Sequence, residues 1–343
     1  MIVRPVLLFG GLSRERLVSV ATAQTLASVL DHPACWFWRP DGSVVEVELD
    51  KLLGHEDVFR VPFDSAGREL GDDLTESLDE LRDTGIVVVV GLHGGEGENG
   101  MVAAWLEERR IPFTGSGSVA SRLAFDKVAA KERVAEEGVH VAEAEVLRSR
   151  EEDSLDRLVA MVDRWEKVVV KPVEEGSSYG MEILSSADEA KRFVENIRED
   201  EYDRYLAERL LQGVELTGGV IEHEGEVVAL PTVEIRPETG RSFDYAGKYL
   251  GEGIEEICPA EVSEEVEMAT RRAAEIAHEA IGCFGYSRTD FIVEEGKAYF
   301  LETNTLPGLT KTSLLPQELR EAGISLEDFV KAQLELSSRR YRD

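Results

Sequence analysis

Apolar and polar positions along the chain fall into two alternating patterns, short continuous apolar runs and longer stretches with helical spacing. Residues 6–9 form an apolar run that ends in Gly10-Gly11, as a buried parallel strand does. Over residues 15–30, Leu17, Val18, Val20, Ala21, Thr25 and Leu26 recur on one helical face. Residues 86–90 predict a second buried strand, which runs into the Gly-rich stretch 91–100. Between them, residues 41–83 are acidic and irregular and predict only a helix over 74–81. Residues 111–117 read as a strand and turn, followed by helical patterning over 119–137, which puts a boundary near residue 117.

Beyond it, the patterning predicts strands at 142–147, 167–170 and 205–208, and helices near 154–165 and 187–197. Residues 215–235 read as strands with a turn at 222–225, and 262–281 as a long amphipathic helix. Strands at 289–293 and 298–302 are joined by a hairpin turn at 294–297, and 326–336 is helical. Strands alternating with helices make this an α/β chain.

With 343 residues, 43% of them hydrophobic, the chain is long enough for two or three packed domains with a sizeable core. It carries 69 acidic against 38 basic residues, a net charge of −31. Such a surface repels phosphate almost everywhere, which argues against a nucleic-acid partner. A phosphate-bearing substrate would need a local pocket lined by basic groups or metal. Cys35, Cys258 and Cys283 lie far apart, giving neither a disulfide framework nor a zinc site, and a reducing cytoplasm is expected. The opening apolar run is too short for a signal peptide, and no run approaches the roughly 18 apolar residues of a membrane span.

Several clusters carry candidate chemistry. Lys171 sits at the end of a predicted strand, and Gly176-Ser177-Ser178-Tyr179-Gly180 follows it as a flexible, hydroxyl-rich loop. Backbone N–H groups of such a loop can surround phosphate while lysine supplies a point charge, although the order of residues is not that of a P-loop. Arg288-Thr289-Asp290 and Glu302-Thr303-Asn304 lie on the two strands of one hairpin. Residues two apart on a strand face the same way, so Asp290, Glu302 and Asn304 can converge as hard oxygen ligands suited to Mg²⁺. Pro307-Gly308 makes a turn that leaves the Gly308 N–H free to join Arg288 at a developing oxyanion. Glu15 opens a helix just after a strand, where it can serve the helix dipole or face a ligand. The stretches 92–100, containing His93, and 243–249 are polar loops. Each cluster alone has a plain structural explanation: a turn, or a solvated acidic face.

Their order along the chain resembles that of the D-alanine–D-alanine ligases, a branch of the ATP-grasp superfamily. Gly10-Gly11-Leu12-Ser13-Arg14-Glu15 with Val18-Ser19 looks like the family's opening motif, and His93-Gly94 with Glu98-Asn99-Gly100 like its second. Ile111-Pro112-Phe113-Thr114-Gly115-Ser116-Gly117 and Asp126-Lys127 match the approach to the central domain. The 171–180 stretch fits the phosphate loop, and Asp244-Tyr245 with Lys248-Tyr249 the mobile loop. Arg288-Thr289-Asp290, Glu302-Thr303-Asn304 and Pro307-Gly308-Leu309-Thr310 with Ser313-Leu314 complete a resemblance that covers nearly the whole chain.

The resemblance implies a three-domain ATP-grasp fold with an N-terminal parallel-sheet (pre-ATP-grasp) domain at 1–117, a central subdomain at 118–210 and a C-terminal one at 211–343. ATP would lie between the last two. It implies ligation of two D-alanines through an acyl phosphate, for peptidoglycan precursor synthesis, by a cytoplasmic homodimer. Lys127, Lys171 and Lys248 would hold the phosphates with the Ser178 loop. Glu208, Glu215, Leu211 and Leu301 would meet the nucleoside. Asp290, Glu302 and Asn304 would bind two Mg²⁺ ions, or Mn²⁺ in their place. Glu15 would pair with the ammonium of the first D-alanine, in a closing link with Ser177 and Tyr249, and His93 would border the same site. Ser313 and Leu314 would receive the second D-alanine, and Arg288 and Gly308 would serve the oxyanion. Leu17, Asn99, Phe243 and Gly247 depart from the family's common residues, which bears on substrate detail and lid behaviour more than on reaction class. Tyr249 favours an amine over the hydroxyl of D-lactate as nucleophile. The alternatives are a different amino-acid or hydroxy-acid pair, and a nucleotide-binding module without catalysis.

Overall fold

The structure, a computed structural model, describes residues 3–81, 85–237 and 253–341. It contains three sheets among the described residues. The first has the spatial order Arg68–Gly71, Val44–Val47, Ala34–Trp38, Arg4–Gly10, Ile86–Val90. Its three strands Ala34–Trp38, Arg4–Gly10 and Ile86–Val90 are parallel, and the two at its edge are antiparallel. The expected parallel sheet is therefore parallel only in that part. Helix Arg16–Ala27 packs directly on the strand that precedes it.

The second sheet is wholly antiparallel, in the order Ala144–Arg148, Arg204–Arg209, Val168–Pro172, Glu182–Leu184. Helices Ser154–Trp165 and Ala187–Ile197 cover it, burying Leu158, Met161, Val162, Phe193, Val194 and Ile197 against Val168, Val170 and Tyr205. The third and largest sheet centres on Val214–His223, Tyr286–Glu294 and Lys297–Asn304, backed by helix Glu264–Ile281. The short strand His140–Val141 joins its edge in parallel.

Several sequence expectations change in detail. The helical stretch 119–137 is two helices, Ser118–Phe125 and Lys127–Glu136, because Asp126 leaves helical geometry and caps the second. Its carboxylate accepts from Val128 N–H at 3.0 Å and Ala129 N–H at 2.9 Å. Both helices pack in the core of the largest sheet, although in sequence they stand next to the central segment. The expected strand at 111–117 is a single bridge of Phe113 to Val88. Among its described residues, the irregular stretch 41–83 holds the edge strands of the first sheet and three short helices, Leu49–Leu53, Leu74–Leu78 and the 3₁₀ turn Asp79–Leu81, the last two covering the expected helix at 74–81.

One irregularity positions the site. In the hairpin of the largest sheet, Asp290 pairs with Glu302 and Phe291 with Phe300, which leaves Leu301 as an extra residue on its strand. Such a bulge breaks the alternation of side chains. Leu301 and Glu302 consequently both line the cleft between the second and third sheets, while Phe300 stays fully buried in the core.

Candidate active site in the cleft between the sheets

The cleft opens into a cavity of about 230 Å³. Val169, Ile183, Leu210, Leu211, Ile292 and Leu301 supply its apolar walls, and Lys127, Lys171, Glu208, Glu215, Asp290 and Glu302 its charges. Apolar walls together with charged groups suit a flat heterocycle carrying phosphates. Lys127 opens its helix just after the Asp126 cap, and its ammonium reaches Glu302 at 3.3 Å and the carbonyl of Glu175. Lys171 lies on strand Val168–Pro172 and meets Glu208 on the neighbouring strand at 2.7 Å. Glu208 also lies 2.7 Å from Lys131, an ion pair that is not aligned as a hydrogen bond. Burial alone would push the Glu208 carboxyl up; the two ammonium groups outweigh it and pull its pKa down to about 2. Sequence reading placed Glu208 beside the nucleoside but missed Lys131. The signal was its spacing, four residues beyond Lys127 and so on the same helical face.

On the hairpin, Arg288, Asp290, Glu302 and Asn304 converge. The guanidinium of Arg288 holds Asp290 at 2.9 Å through both carboxylate oxygens, and Asn304 Nδ2 donates to Oδ2 at 3.2 Å. Thr217, on the adjacent strand, donates to Oδ1 at 2.6 Å. Burial works against the charge on Arg288, yet Asp290 holds it more firmly protonated than usual.

A second cavity, of about 90 Å³, lies next to the first and is more polar. Glu15, His93, Ser177, Arg288, Asn304, Gly308, Ser313 and Leu314 line it, so that residues from distant parts of the sequence meet there. Gly176, Glu215, Asp290 and Glu302 border both cavities. Glu15 makes no side-chain cap at its helix and instead accepts a hydrogen bond from Ser177. Gly94 permits its approach, since a Cβ there would stand 2.4 Å from Glu15 Oε2. His93 is buried, with Nε2 2.8 Å from Thr22 Oγ1 and Nδ1 3.8 Å from Glu98. A Cβ on Gly308 would come 2.7 Å from Ser313 Oγ, so a larger residue there would have to displace that hydroxyl. Sequence reading missed Phe59 and Glu256 in this wall. Burial pushes the Glu256 carboxyl up, and Gln317 donates to it. Lys248, Tyr249, Phe243 and Gly247 lie outside the described residues.

Residues 4–116 match the family model described as the D-ala D-ala ligase N-terminus, and residues 134–335 the one described as the D-ala D-ala ligase C-terminus. The chain belongs to the D-alanine–D-alanine ligase family.

Curated members from Leptospira interrogans and Geobacter sulfurreducens are 34% and 38% identical. The first match covers 97% of both chains, the second 94% of this chain and 90% of the relative. Among solved structures, the D-alanine–D-alanine ligase of Coxiella burnetii superposes with a TM-score of 0.81 at 23% identity, covering 98% of this chain and 96% of that one. The VanG D-Ala:D-Ser ligase of Enterococcus faecalis gives 0.81 at 24%, covering 98% of this chain and all of that one. A Bacillus anthracis D-alanine–D-alanine ligase complexed with ATP gives 0.74 at 24%, covering 98% of both. The fold is the ATP-grasp fold, and the chain is an enzyme of the family's ligase class that uses ATP. No helix among the described residues is long and apolar enough to cross a membrane.

Proposed function

We propose that this chain joins two D-alanines into D-alanyl-D-alanine, forming ADP and phosphate, as a step of peptidoglycan precursor synthesis. The observation that carries this reading is the shared wall of the two cavities. Glu215, Asp290 and Glu302 border both the nucleotide-shaped slot and the smaller polar pocket. A phosphate group and an amino-acid carboxylate entering from the two sides would meet there.

The donor set at this wall suits Mg²⁺. Asp290 and Glu302 stand opposite each other across the hairpin, and Asn304 adds an amide oxygen from the same strand as Glu302. With Asp290, Glu302 and Asn304 as ligands, Mg²⁺ or Mn²⁺ would offset charge on the phosphates. The arginine and asparagine contacts of Asp290 would then be shared with the ion.

The chemistry follows from the electrophile. A carboxylate resists attack, so the first D-alanine attacks the γ-phosphorus, forming an acyl phosphate and releasing ADP. Lys127 and Lys171, with Lys248, would balance the phosphate charge beside the Ser178 loop, with Leu211, Leu301, Glu208 and Glu215 around the nucleoside. Glu15 would hold the ammonium of the first D-alanine, with Ser177 and Tyr249 closing the link and His93 behind it. The deprotonated amine of the second D-alanine, seated by Ser313 and Leu314, then attacks the acyl carbon. Arg288 and the Gly308 N–H would stabilise the oxyanion before phosphate leaves. The apolar walls and the 243–249 loop would exclude water, which would otherwise hydrolyse the acyl phosphate. The same reading includes domains at 1–117, 118–210 and 211–343, and a cytoplasmic homodimer.

The test is ADP release with ATP, Mg²⁺ and D-alanine, with L-alanine, D-serine and D-lactate in parallel. Release with D-alanine alone, and a dipeptide of the right mass, is the expected result. Release only with another pair would keep the acyl-phosphate chemistry and replace the substrate.

A further inference from the structure

Arg14 stands one residue before Glu15, yet it points away from the amino-acid pocket. Its guanidinium lies over the ring of Tyr179, 4.0 Å from the centroid, and reaches Glu201 at 3.0 Å. Tyr179 and Glu201 belong to the segment that forms the second sheet, so Arg14 bridges the first sheet's segment to it. Tyr179 itself lines the nucleotide cavity. Arg14 thus bears on the wall of a cavity that it does not enter.

The loop beneath this contact is strained. Ser177 and Ser178 adopt consecutive left-handed conformations, with φ of 52° and 56°, at residues that carry side chains. Such a backbone persists only where its surroundings hold it. Contacts within and around the loop hold it, among them Tyr179 N–H to the Gly176 carbonyl at 3.0 Å, Met181 N–H to the Ser178 carbonyl at 3.3 Å and Lys127 to the Glu175 carbonyl. Glu175 accepts from the Gly176 N–H at 3.0 Å and from the Tyr202 hydroxyl at 2.5 Å. Glu15 accepts from Ser177, and Arg14 covers Tyr179. The last two come from adjacent residues of one dipeptide.

We propose that Arg14 is a positioning residue for the nucleotide: through Tyr179 and Glu201 it holds the 176–180 loop closed over the phosphates. Glu15 and Arg14 then tie amino-acid and nucleotide sites to a single turn, so that filling either site favours the loop conformation the other requires. This rests on the ATP reading above, but not on the identity of the amino acids.

The experiment is calorimetric titration with the imido analogue of ATP in Mg²⁺, without amino acid, on the full chain and on R14A, R14K, Y179A and R14A/Y179A. R14A and Y179A should each bind roughly 3- to 10-fold more weakly, the size of one exposed cation–π contact with an ion pair. R14K should recover part of the loss. The double variant should lose less than the sum of the two single losses, since both singles remove the Arg14–Tyr179 contact. In turnover, R14A should raise KM for ATP with kcat within about twofold of the parent. Unchanged affinity in R14A, or fully additive losses in the double variant, would overturn the proposal while leaving the ligase reading intact. A parent protein that binds no nucleotide would overturn both.

Discussion

Glu208 stands 2.7 Å from Lys131 and 2.7 Å from Lys171, one carboxylate oxygen to each; Glu208 and Lys131 are buried, and Lys171 is partly buried at the cavity wall. A buried carboxylate shared by a buried and a partly buried ammonium group is a charge arrangement in which the carboxylate cannot be removed cheaply.

Replacing Glu208 by Gln should therefore cost roughly 3–5 kcal/mol of stability at neutral pH, because it strands two ammonium groups. Its carboxyl has a folded pKa near 2, below the unfolded value of about 4.3. The stabilisation is thus complete above the unfolded value and is lost as pH falls toward 2. Urea unfolding of parent and variant from pH 7 down to 3 should show the difference between them shrinking with acid.

Glu318 behaves in the opposite way. It is fully buried, accepts from the Gly219 N–H at 2.9 Å through Oε1, and has no hydrogen-bond partner at Oε2. Burial pushes its pKa up to about 8. A carboxyl raised in the folded state contributes stability that is complete below its unfolded pKa and lost as pH rises through about 8. Glu318→Gln keeps an acceptor for Gly219 without the charge. It should gain about 1–3 kcal/mol over the parent at pH 9 and little at pH 5. Equal unfolding midpoints at pH 9 would show that the site is hydrated.

For the proposed metal ligands, Glu302→Gln and Asp290→Asn should each lower the rate of ADP formation by about 100-fold or more, the scale of losing charge stabilisation at a phosphoryl transfer. Raising Mg²⁺ should recover part of the loss in Glu302→Gln. Chelation of divalent ions should abolish turnover in the parent. Activity in excess chelator would sink the metal assignment.

At the amino-acid pocket, Glu15→Gln removes the charge proposed to meet an ammonium, whereas Ser177→Ala removes only its hydrogen-bond donor. The first should raise KM for D-alanine by about 10-fold or more, the second by a few-fold. Initial-rate kinetics at saturating ATP would separate them.

Much of this was legible from residue order. Helices Ser154–Trp165 and Ala187–Ile197 fall where their apolar spacing put them, since each has one face on a sheet and one in water. Strand Ala34–Trp38 is a continuous apolar run of the same kind as 6–9 and 86–90, but it lacks their closing glycines, leads into Arg39-Pro40 and so escaped. The break at Asp126 interrupts an otherwise unbroken helical pattern, and a lone acidic residue within it gives little warning of a cap. The convergence of Asp290, Glu302 and Asn304 followed from a two-residue period, but the pairing of Leu301 with Glu302 on the same side did not. It needs the bulge, which no period contains. Phe59 and Glu256 reach the pocket only through tertiary packing from stretches with no pattern of their own.

Leu315, Leu319, Phe329 and Val330 complete the same core as Leu7, Phe9 and Val88, more than 220 positions away in the chain. During synthesis the first sheet is made early, but part of its cover emerges only with helices Leu314–Glu321 and Leu326–Ser337. Until then its apolar surface must wait, shielded by collapse or by a chaperone, and exposed to association with other nascent chains. A chain cut short after residue 304 would carry every residue that lines the nucleotide cavity and still lack helices Leu314–Glu321 and Leu326–Ser337, leaving the first sheet with an open seam.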